Sequence, residues 1–299
     1  MMKAESLIKQ YGAVRSLDAV TVTIDDGSIL GLIGSNGSGK STFLRLLCGI
    51  LKPDGGCVLY DGSNLWGNTD AKAKLLYVSD EPFFLPHSSL IEMSALYESI
   101  YPSYSRERFA ELAALFSLDT RRKINTFSRG MQKQAAILLT LAVRPKCLLL
   151  DETFDGLDPV MRQMVKRLLA EDVAERGMSV VLASHNLREL EDICDRVALL
   201  HAGRLLFQRE LDDMKLTIQK IQAVFTETDA ESALAALPLL NLERRGSVYT
   251  IVARGTKEEL DAKMRELSPQ FYEFIPLTLE EIFISEMGDR GYDFTKLLA

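Results

Sequence analysis

The sequence predicts an α/β fold followed by a small α+β domain. Three observations indicate this: four short apolar runs that each end in small or polar residues, helical patterns between the second and third runs, and a new alternation of strand and helix signals after about residue 215. Short apolar runs are typical of buried parallel strands. We therefore expect a first domain at residues 1–215, with a helical insert at about 88–145, and a second domain at 216–299.

The four apolar runs predict one ligand-binding crevice. In open α/β sheets, ligands bind outside the carboxyl ends of the strands, so residues that follow such strands converge. The strands are predicted at 29–33, 75–78, 147–150 and 180–183, and they are followed by Gly34-Ser35-Asn36-Gly37, Ser79-Asp80-Glu81, Asp151-Glu152 and Ser184-His185.

Helix signals are clearest between Asp158 and Gly177, where Asp158 caps, Pro159 takes the first helical position and Gly177 ends the helix. A shorter helix is predicted at 40–47. Within the insert, the helical patterns include 107–116 and 134–142, and the runs 196–200 and 204–207 predict a hairpin around Gly203.

The second domain is predicted in the order βαββαβ, which resembles the split βαβ sandwich of ferredoxin-like domains. Thr256 with Glu259, and Thr278 with Glu281, form capping boxes for two of its helices. Its predicted elements are strands at 218–225, 239–243, 248–253 and 271–274, and helices at 230–237, 256–267 and from 278 onward.

Composition excludes several classes of protein. The 299 residues carry 35 Lys+Arg against 42 Asp+Glu, a formal net charge of -7, and we expect no nucleic-acid partner because phosphate contacts need a basic face. The longest uncharged apolar stretch, 134–143, is far shorter than the ~20 residues of a membrane-spanning helix. The N-terminal residues show no secretory signal. The four cysteines lack metal-site spacing and are expected to be core thiols.

Residues 34–41 fit the pattern GxxxxGK[ST] between a predicted strand and a predicted helix. Such a loop wraps its backbone N–H groups around phosphates, and the helix dipole adds to the attraction. The alternative, a glycine-rich turn that fits by chance, is disfavoured by the flanking strand and helix. Lys40 is expected to hold the β- and γ-phosphates and Ser41 to bind Mg²⁺. The predicted nucleotide ligands here are Gly34, Ser35, Asn36, Gly37, Ser38, Gly39, Lys40, Ser41 and Thr42.

Asp151 and Glu152 end a buried strand and present two carboxylates at the same edge. Asp151 suits a residue that supports a bound Mg²⁺, and Glu152 suits a base that orients and deprotonates a water for attack on the γ-phosphate. Such a pair alone is equally well explained as solvated acids at a strand end. The phosphate-binding loop upstream favours the catalytic interpretation.

Further motifs in this order resemble those of the ATP-binding subunit of an ABC transporter, over residues 3–215. Phe127 to Gln132 resembles the signature loop in the form of ABC-2-type exporters, and Gly156-Leu157-Asp158 resembles the D-loop. The resemblance implies a P-loop NTPase fold with a helical signature subdomain. It also implies nucleotide contacts from Tyr11, Ser128, Gly130 and Asp158, and catalytic roles for Asp80, Asp151, Glu152 and His185.

The same resemblance implies partners. Ser128, at a predicted helix start with Gly130 close behind, offers a hydroxyl and backbone N–H groups to an anion. In the family this loop closes over ATP held by a second ATPase subunit, which implies a homodimer or heterodimer with ATP and Mg²⁺ between the halves. A separate integral membrane permease and a cytoplasmic position on the inner face of the cell membrane follow from the resemblance as well.

Four residues depart from the family pattern: Asp80 replaces the usual glutamine, and Arg129, Met131 and Thr153 replace glycine, glutamine and proline. Asp80 is still expected near the site as a Mg²⁺ ligand, because hard cations take carboxylate oxygens. It is one methylene shorter than glutamine and adds a charge.

Two hypotheses on function follow. The first is an ATPase that powers a separate permease, with export favoured by the signature loop and by the ending 277–283 with Gly291-Tyr292-Asp293, which resembles that of bacterial ABC-2-type subunits. The second is a regulatory or translation-associated ABC ATPase with slow turnover. Phe83, Phe84 and Leu85 form either a partner-binding groove or part of the core of the insert.

Overall fold

The computed structural model describes residues 1–225 and 234–289. The chain divides into two compact units, Met1–Gln208 and Arg209–Ala299. The division falls seven residues before the boundary predicted from sequence, inside the strand Arg204–Glu210. Four of the eight residues of the helix predicted at 230–237, and Gly291-Tyr292-Asp293, lie outside the described residues.

A four-stranded antiparallel sheet opens the first unit, and the sequence did not predict it. The strand order is β2-β1-β4-β5. The pairing of β1 with β2 contains three register shifts, so the strict apolar alternation that marks a strand is interrupted. The strands are β1 (Met2–Tyr11), β2 (Val14–Ile24), β4 (Gly55–Tyr60) and β5 (Ser63–Asn64), with β3 (Ile29–Ile33) lying in the next sheet.

A six-stranded sheet in the order β10-β9-β3-β8-β7-β6 forms the centre of the first unit. Its strands β6 (Leu75–Val78), β7 (Cys147–Asp151), β8 (Ser179–Ser184) and β3 confirm the four apolar runs. They pair in parallel, as does β9 (Arg196–His201) with β3, while β10 (Arg204–Glu210) lies at the edge. The predicted hairpin runs are thus β9 and β10.

Helix caps confirm the helix that was predicted after Asp158. The helix from Pro159 is capped by the Asp158 carboxylate, which accepts from the Met161 N–H at 2.9 Å, and it ends at Gly177 with a left-handed φ of +62°. The insert holds three helices and a 3₁₀ turn, Ile124–Thr126. The helices are α1 (Lys40–Leu47), α2 (Thr69–Lys72), α3 (Leu90–Ile100), α4 (Arg106–Leu115), α5 (Arg129–Val143), α6 (Pro159–Arg176) and α7 (Leu187–Glu191).

One apolar core joins the two sheets of the first unit through α1. Phe43 and Leu44 of α1 are fully buried with Leu17 and Val20 of β2 and Leu32 of β3. Burying large side chains of this kind stabilises a protein by about 1.5–3 kcal/mol each. The core therefore holds the start of α1 against the end of β3, on either side of the predicted phosphate-binding loop.

The second unit contains a four-stranded sheet in the order β12-β13-β11-β14, with antiparallel pairing throughout. The first two strands along the chain are β11 and β12, and β13 of the second pair lies between them. The two pairs of strands therefore interleave, as a split βαβ arrangement requires. Both predicted capping boxes form, at Thr256 and at Thr278. The elements are α8 (Leu211–Thr217), β11 (Ile218–Val224), β12 (Leu239–Arg245), β13 (Val248–Arg254), α9 (Lys257–Leu267), β14 (Phe271–Ile275) and α10 (Leu279–Asp289).

The cysteines are only partly as expected. All four are free thiols, but Cys48 and Cys57 are half-buried whereas Cys147 and Cys194 lie in the core. Burial raises the pKa of the Cys147 thiol to about 12, so this thiol is unreactive. Within residues 1–225 and 234–289, no helix has the length and apolar character needed to span a membrane.

Candidate active site

The candidate site lies at the carboxyl edge of the central sheet. Ile33, the last residue of β3, pairs with Ser184 of β8, and Asp151, the last residue of β7, pairs with Ala183 of the same strand. The residues that follow these three neighbouring strands are therefore side by side. Those residues include the loop that begins at Gly34, the carboxylate of Glu152 and the imidazole of His185.

The loop from Gly34 to Gly39 has a shape that needs glycine at two positions. Gly39 caps α1 with φ +106°, and a Cβ there would lie 2.7 Å from the carbonyl oxygen of Ser16. A Cβ on Gly34 would lie 2.4 Å from both the Leu200 carbonyl oxygen and the Ser38 hydroxyl. Neighbouring atoms therefore occupy the space that a side chain at Gly34 or Gly39 would need. The N–H groups of the loop stay close to the N-terminus of α1.

Replacing Gly39 with alanine is expected to abolish ATP binding and to lower the melting temperature. The left-handed conformation costs an alanine about 1–2 kcal/mol, and the contact with Ser16 adds to this strain. Gly177→Ala is the matched control, because Gly177 is also left-handed but a Cβ there meets nothing within 4 Å. Calorimetry and titration with ATP measure both effects. Unchanged ATP affinity in Gly39→Ala would contradict the prediction.

Lys40 is the buried cation of this loop. Its side chain is 5% exposed, and its ammonium donates hydrogen bonds to the carbonyl oxygens of Gly34 at 2.6 Å and Ser35 at 3.2 Å. The ammonium also lies 3.2 Å from Oε1 of Glu152, in an ion pair without hydrogen-bond geometry. Lys40 thus contacts both the predicted phosphate-binding loop and the predicted base.

Glu152 has a left-handed backbone, with φ +47°, which is uncommon for a residue with a side chain. Its N–H donates to the Ala183 carbonyl at 3.0 Å. Its Oε2 accepts the His185 N–H at 3.3 Å and lies 2.9 Å from Nδ1 of the His185 ring. The carboxylate is therefore held between a lysine and a histidine, an arrangement that suits a base acting on a water molecule.

A buried carboxylate lies behind His185, and the sequence analysis missed it. Glu189 is 2% exposed, accepts a hydrogen bond from the Ser184 hydroxyl at 2.8 Å and lies 3.4 Å from the Arg162 guanidinium. Burial raises the pKa of Glu189, despite these two partners. Arg162 in turn donates to the Leu157 carbonyl at 3.3 Å, so the network connects the His185 segment with the predicted D-loop.

Asp151 has one carboxylate oxygen engaged and one without a partner among the described residues. Its Oδ2 accepts a hydrogen bond from the Tyr77 hydroxyl at 2.8 Å, and burial raises the pKa of that phenol. Its Oδ1 is buried and unpaired, as is the Ser38 hydroxyl. A buried oxygen costs free energy unless it is satisfied, so the free Oδ1 fits a cation ligand, and carboxylate and hydroxyl oxygens are the donors that Mg²⁺ prefers.

Asp80 has an ion-pair partner that the sequence analysis did not identify. The Lys133 ammonium donates to Oδ1 of Asp80 at 2.6 Å and to the main-chain oxygen of Glu152 at 2.8 Å. The sequence does contain a signal for such a partner. Lys133 is the last charged residue before the uncharged run 134–143, and a lysine on a buried helix needs a partner. The separation of Asp80 and Lys133 along the sequence does not reveal this contact.

The remaining predicted residues are spread over several elements. Ser128 is exposed at the N-cap of α5, where its hydroxyl accepts the Met131 N–H at 3.2 Å, and Asp158 caps α6. Gly130 packs on Gly156, since a Cβ on Gly130 would lie 2.7 Å from the Gly156 carbonyl oxygen.

Tyr11 is 45% exposed at the end of β1. Asn36 and Gly37 are exposed, Ser41 is half-buried, and the Thr42 hydroxyl accepts a hydrogen bond from the Ser16 hydroxyl at 2.9 Å.

Comparisons with known proteins agree with this geometry. The ABC transporter family model matches residues 17–155. The ABC transporter ATP-binding protein YtrB of Bacillus subtilis is 33% identical over 290 residues, 97% of this chain and 99% of that protein. The daunorubicin/doxorubicin resistance ATP-binding protein DrrA of Streptomyces peucetius is 30% identical over 98% of this chain and 94% of its own.

A solved structure, the dimeric bacterial ABC transporter cassette MJ0796, aligns with a TM-score of 0.65 at 25% identity, over 71% of this chain and 99% of that chain. The predicted α/β class of P-loop ABC ATPases is thus confirmed. Because a relative at 33% identity extends over nearly the whole chain, the protein belongs to the ABC transporter ATP-binding proteins and is an ATPase.

Proposed function

We propose that this ATPase dimerises around ATP and powers a separate membrane permease, most simply an exporter. The single observation that supports it best is the joining of Lys40, Glu152 and His185 at one sheet edge, directly beside a phosphate-binding loop. Solvated acids at a strand end would not need a buried lysine and a histidine on the same carboxylate.

The residues have distinct roles in this proposal. Lys40 and the loop N–H groups bind the phosphates, and Glu152 orients the attacking water and takes its proton. His185, 2.9 Å from Glu152, keeps that carboxylate turned toward the phosphates. Ser41 and Asp151 would hold Mg²⁺, which when bound neutralises charge on the phosphate oxygens. Asp80 was also expected from the sequence to hold Mg²⁺, but its Oδ1 accepts from Lys133, which leaves one carboxylate oxygen for that role.

Dimerisation follows from residues that face solvent in this chain. Ser128 and Asp158 are exposed at helix N-termini, and Gly130 packs on Gly156. Helix N-termini bind anions. We infer that these residues, with Tyr11 contributing an adenine contact on its own side, complete a site around ATP held by a second copy or a related subunit. The similar dimeric cassette supports this assembly.

The permease contact is assigned to the segment after Asp80. Phe83 is 79% exposed and Leu85 is 46% exposed, so this segment is not part of the core of the insert. A cavity of about 420 Å³ opens beside it, lined by Asp80, Glu81, Pro82, Arg129, Gln132, Lys133, Asp155 and Gly156. An exposed aromatic beside a cavity is a suitable anchor for a protein partner.

Export and location at the inner face of the membrane complete the proposal. A relative named for resistance to two drugs fits outward transport. Both full-length relatives reported above are named as ATP-binding proteins, one of them of a transporter, and this does not favour the alternative of a regulatory or translation-associated ATPase. In this proposal the substrate contacts the permease and not this chain.

A photo-crosslinker placed at position 83 is expected to capture a polytopic membrane protein when the full chain is expressed in its own cells. The same probe at Glu171, which is an exposed residue of α6, is the matched control and should capture none. In parallel, Glu152→Gln with ATP is expected to sediment as a dimer, and an added Ser128→Arg substitution should return it to a monomer. Equal capture at both positions, or a monomer in every case, would refute the proposal.

A further inference from the structure

We propose that Lys133 is a positioning residue for ATP hydrolysis, whose ammonium fixes the main chain of Glu152, and that Asp80 acts as the charge partner of Lys133. This inference rests on the proposed role of Glu152 as the base. It concerns a residue of the helical insert. This residue belongs neither to the phosphate-binding loop nor to the pair of carboxylates at the end of β7.

The contacts of Lys133 are those of a buried cation with two separate acceptors. Its side chain is 9% exposed, and its ammonium donates to Oδ1 of Asp80 at 2.6 Å and to the carbonyl oxygen of Glu152 at 2.8 Å. A buried ammonium is costly unless it is paired and hydrogen-bonded. Lys133 on α5 thus joins the loop after β6 to the residue after β7 through one nitrogen.

The main chain of Glu152 is held from two sides. Its N–H donates to the Ala183 carbonyl of β8 at 3.0 Å, and its carbonyl accepts from Lys133. A non-glycine residue at φ +47° is strained, and such strain persists only where the surroundings fix it. Lys133 is therefore a contact that keeps the Glu152 side chain directed at Lys40 and His185. A displacement of about 1 Å in such a group can cost about 100-fold in rate.

Asp80 is given a role different from that of a cation ligand. Its side chain is 58% exposed, and its Oδ1 accepts from the Lys133 ammonium at 2.6 Å. If Asp80 acts as the charge partner, its effect on turnover depends on Lys133. If it acts as a Mg²⁺ ligand, its effect is independent of Lys133. The two roles can therefore be separated by combining substitutions.

The test measures steady-state ATP hydrolysis by the full chain. Lys133→Met, which keeps the stem and removes the ammonium, is expected to lower kcat by about 10–100-fold and to leave the KM for ATP within about twofold, because it moves the base and not the phosphate ligands. Asp80→Asn is expected to lower kcat less, since its amide oxygen still accepts a hydrogen bond. The double variant should be no slower than Lys133→Met alone.

A second cycle separates this inference from the proposed function. Glu152→Gln alone tests the base, and if it is as fast as the wild type then the proposed function fails. With a slow Glu152→Gln variant, adding Lys133→Met is expected to cause no further loss. If Lys133→Met slows the Glu152→Gln variant by the same factor as the wild type, or if the losses from Asp80→Asn and Lys133→Met multiply, the inference is overturned.

Lys166→Met is the matched control, because Lys166 is also buried and is paired with an exposed carboxylate, Asp192, at 3.4 Å. It is expected to lower the melting temperature about as much as Lys133→Met and to leave kcat unchanged. Equal losses of kcat in both variants would make Lys133 merely structural. Should Lys133→Met not fold, Lys133→Gln is measured in its place. Its amide still donates but carries no charge, so its loss of kcat is expected to be smaller than that of Lys133→Met and still larger than that of Lys166→Met.

Discussion

Replacing Glu152 with glutamine is expected to lower ATP turnover by about 10²–10⁴-fold while ATP still binds, as the loss of a general base predicts. Glutamine keeps the shape and an oxygen that can accept from the His185 N–H, which donates to Glu152 at 3.3 Å. It removes the charge that faces Lys40 and cannot take a proton from water. The measurement is phosphate release at saturating ATP, together with a titration of ATP binding.

Glu171→Gln provides the control for removing one carboxylate. Glu171 lies on α6 and pairs with Arg167 at 3.3 Å, with both side chains well exposed. Exposed pairs of this kind contribute little to stability, about 0.2–1 kcal/mol. The control should turn over ATP at the wild-type rate. A Glu152→Gln variant as fast as this control would exclude Glu152 as the base.

Lys40→Met is expected to lower kcat/KM for ATP by about 10²–10⁴-fold, because two charge-assisted hydrogen bonds to phosphate contribute roughly 1.5–3 kcal/mol each. The methionine fills the same buried space, so the loop and α1 should remain folded. The loss has a second component, since Glu152 loses the ion pair at 3.2 Å that faces the loop. Equilibrium binding of ATP measures the first component and single-turnover hydrolysis the second.

Lys166→Met again controls for the loss of a buried ammonium, since Lys166 lies on α6 away from the phosphate-binding loop. Its ATP affinity should equal that of the wild type. The assignment of Lys40 would be wrong if both variants bound ATP equally well. Circular dichroism melts of the two proteins show whether folding is preserved.

The elements that the sequence predicted well are those with strong local signals. The strand 29–33 and the helix 40–47 have the predicted bounds, because an unbroken apolar run precedes a glycine loop and a helix start. The helix from Pro159 to Arg176 is likewise specified by Asp158, Pro159 and Gly177. The N-terminal sheet was missed because bulges in β1 interrupt its alternation.

For the candidate site, motifs in the sequence predicted individual residues but not their partners. Lys40, Glu152 and His185 were found from motifs, since each motif is a short stretch of chain. Lys40 and Glu152 are 112 positions apart, and Glu152 and His185 are 33 positions apart. The spacing of residues in a sequence does not determine contacts of this kind. Lys133 was missed for the same reason, because Asp80 and Glu152, which it contacts, lie 53 and 19 positions away. Glu189 is only five positions from Ser184, but its burial and its contact with Arg162 depend on tertiary packing.

The sequence by itself determined that this protein is an ATPase-type α/β chain with a predicted phosphate-binding loop, two strand-end carboxylates and an appended α+β domain. Only the tertiary structure decided which groups are paired: Asp80 with Lys133, Tyr77 with Asp151, and Glu189 with Ser184. Local patterns fix strands and helices because hydrogen bonding and amphipathicity act over a few residues. Which buried charges pair depends on which strand ends become neighbours. The parallel pairing of segments that are distant in the sequence determines those neighbours.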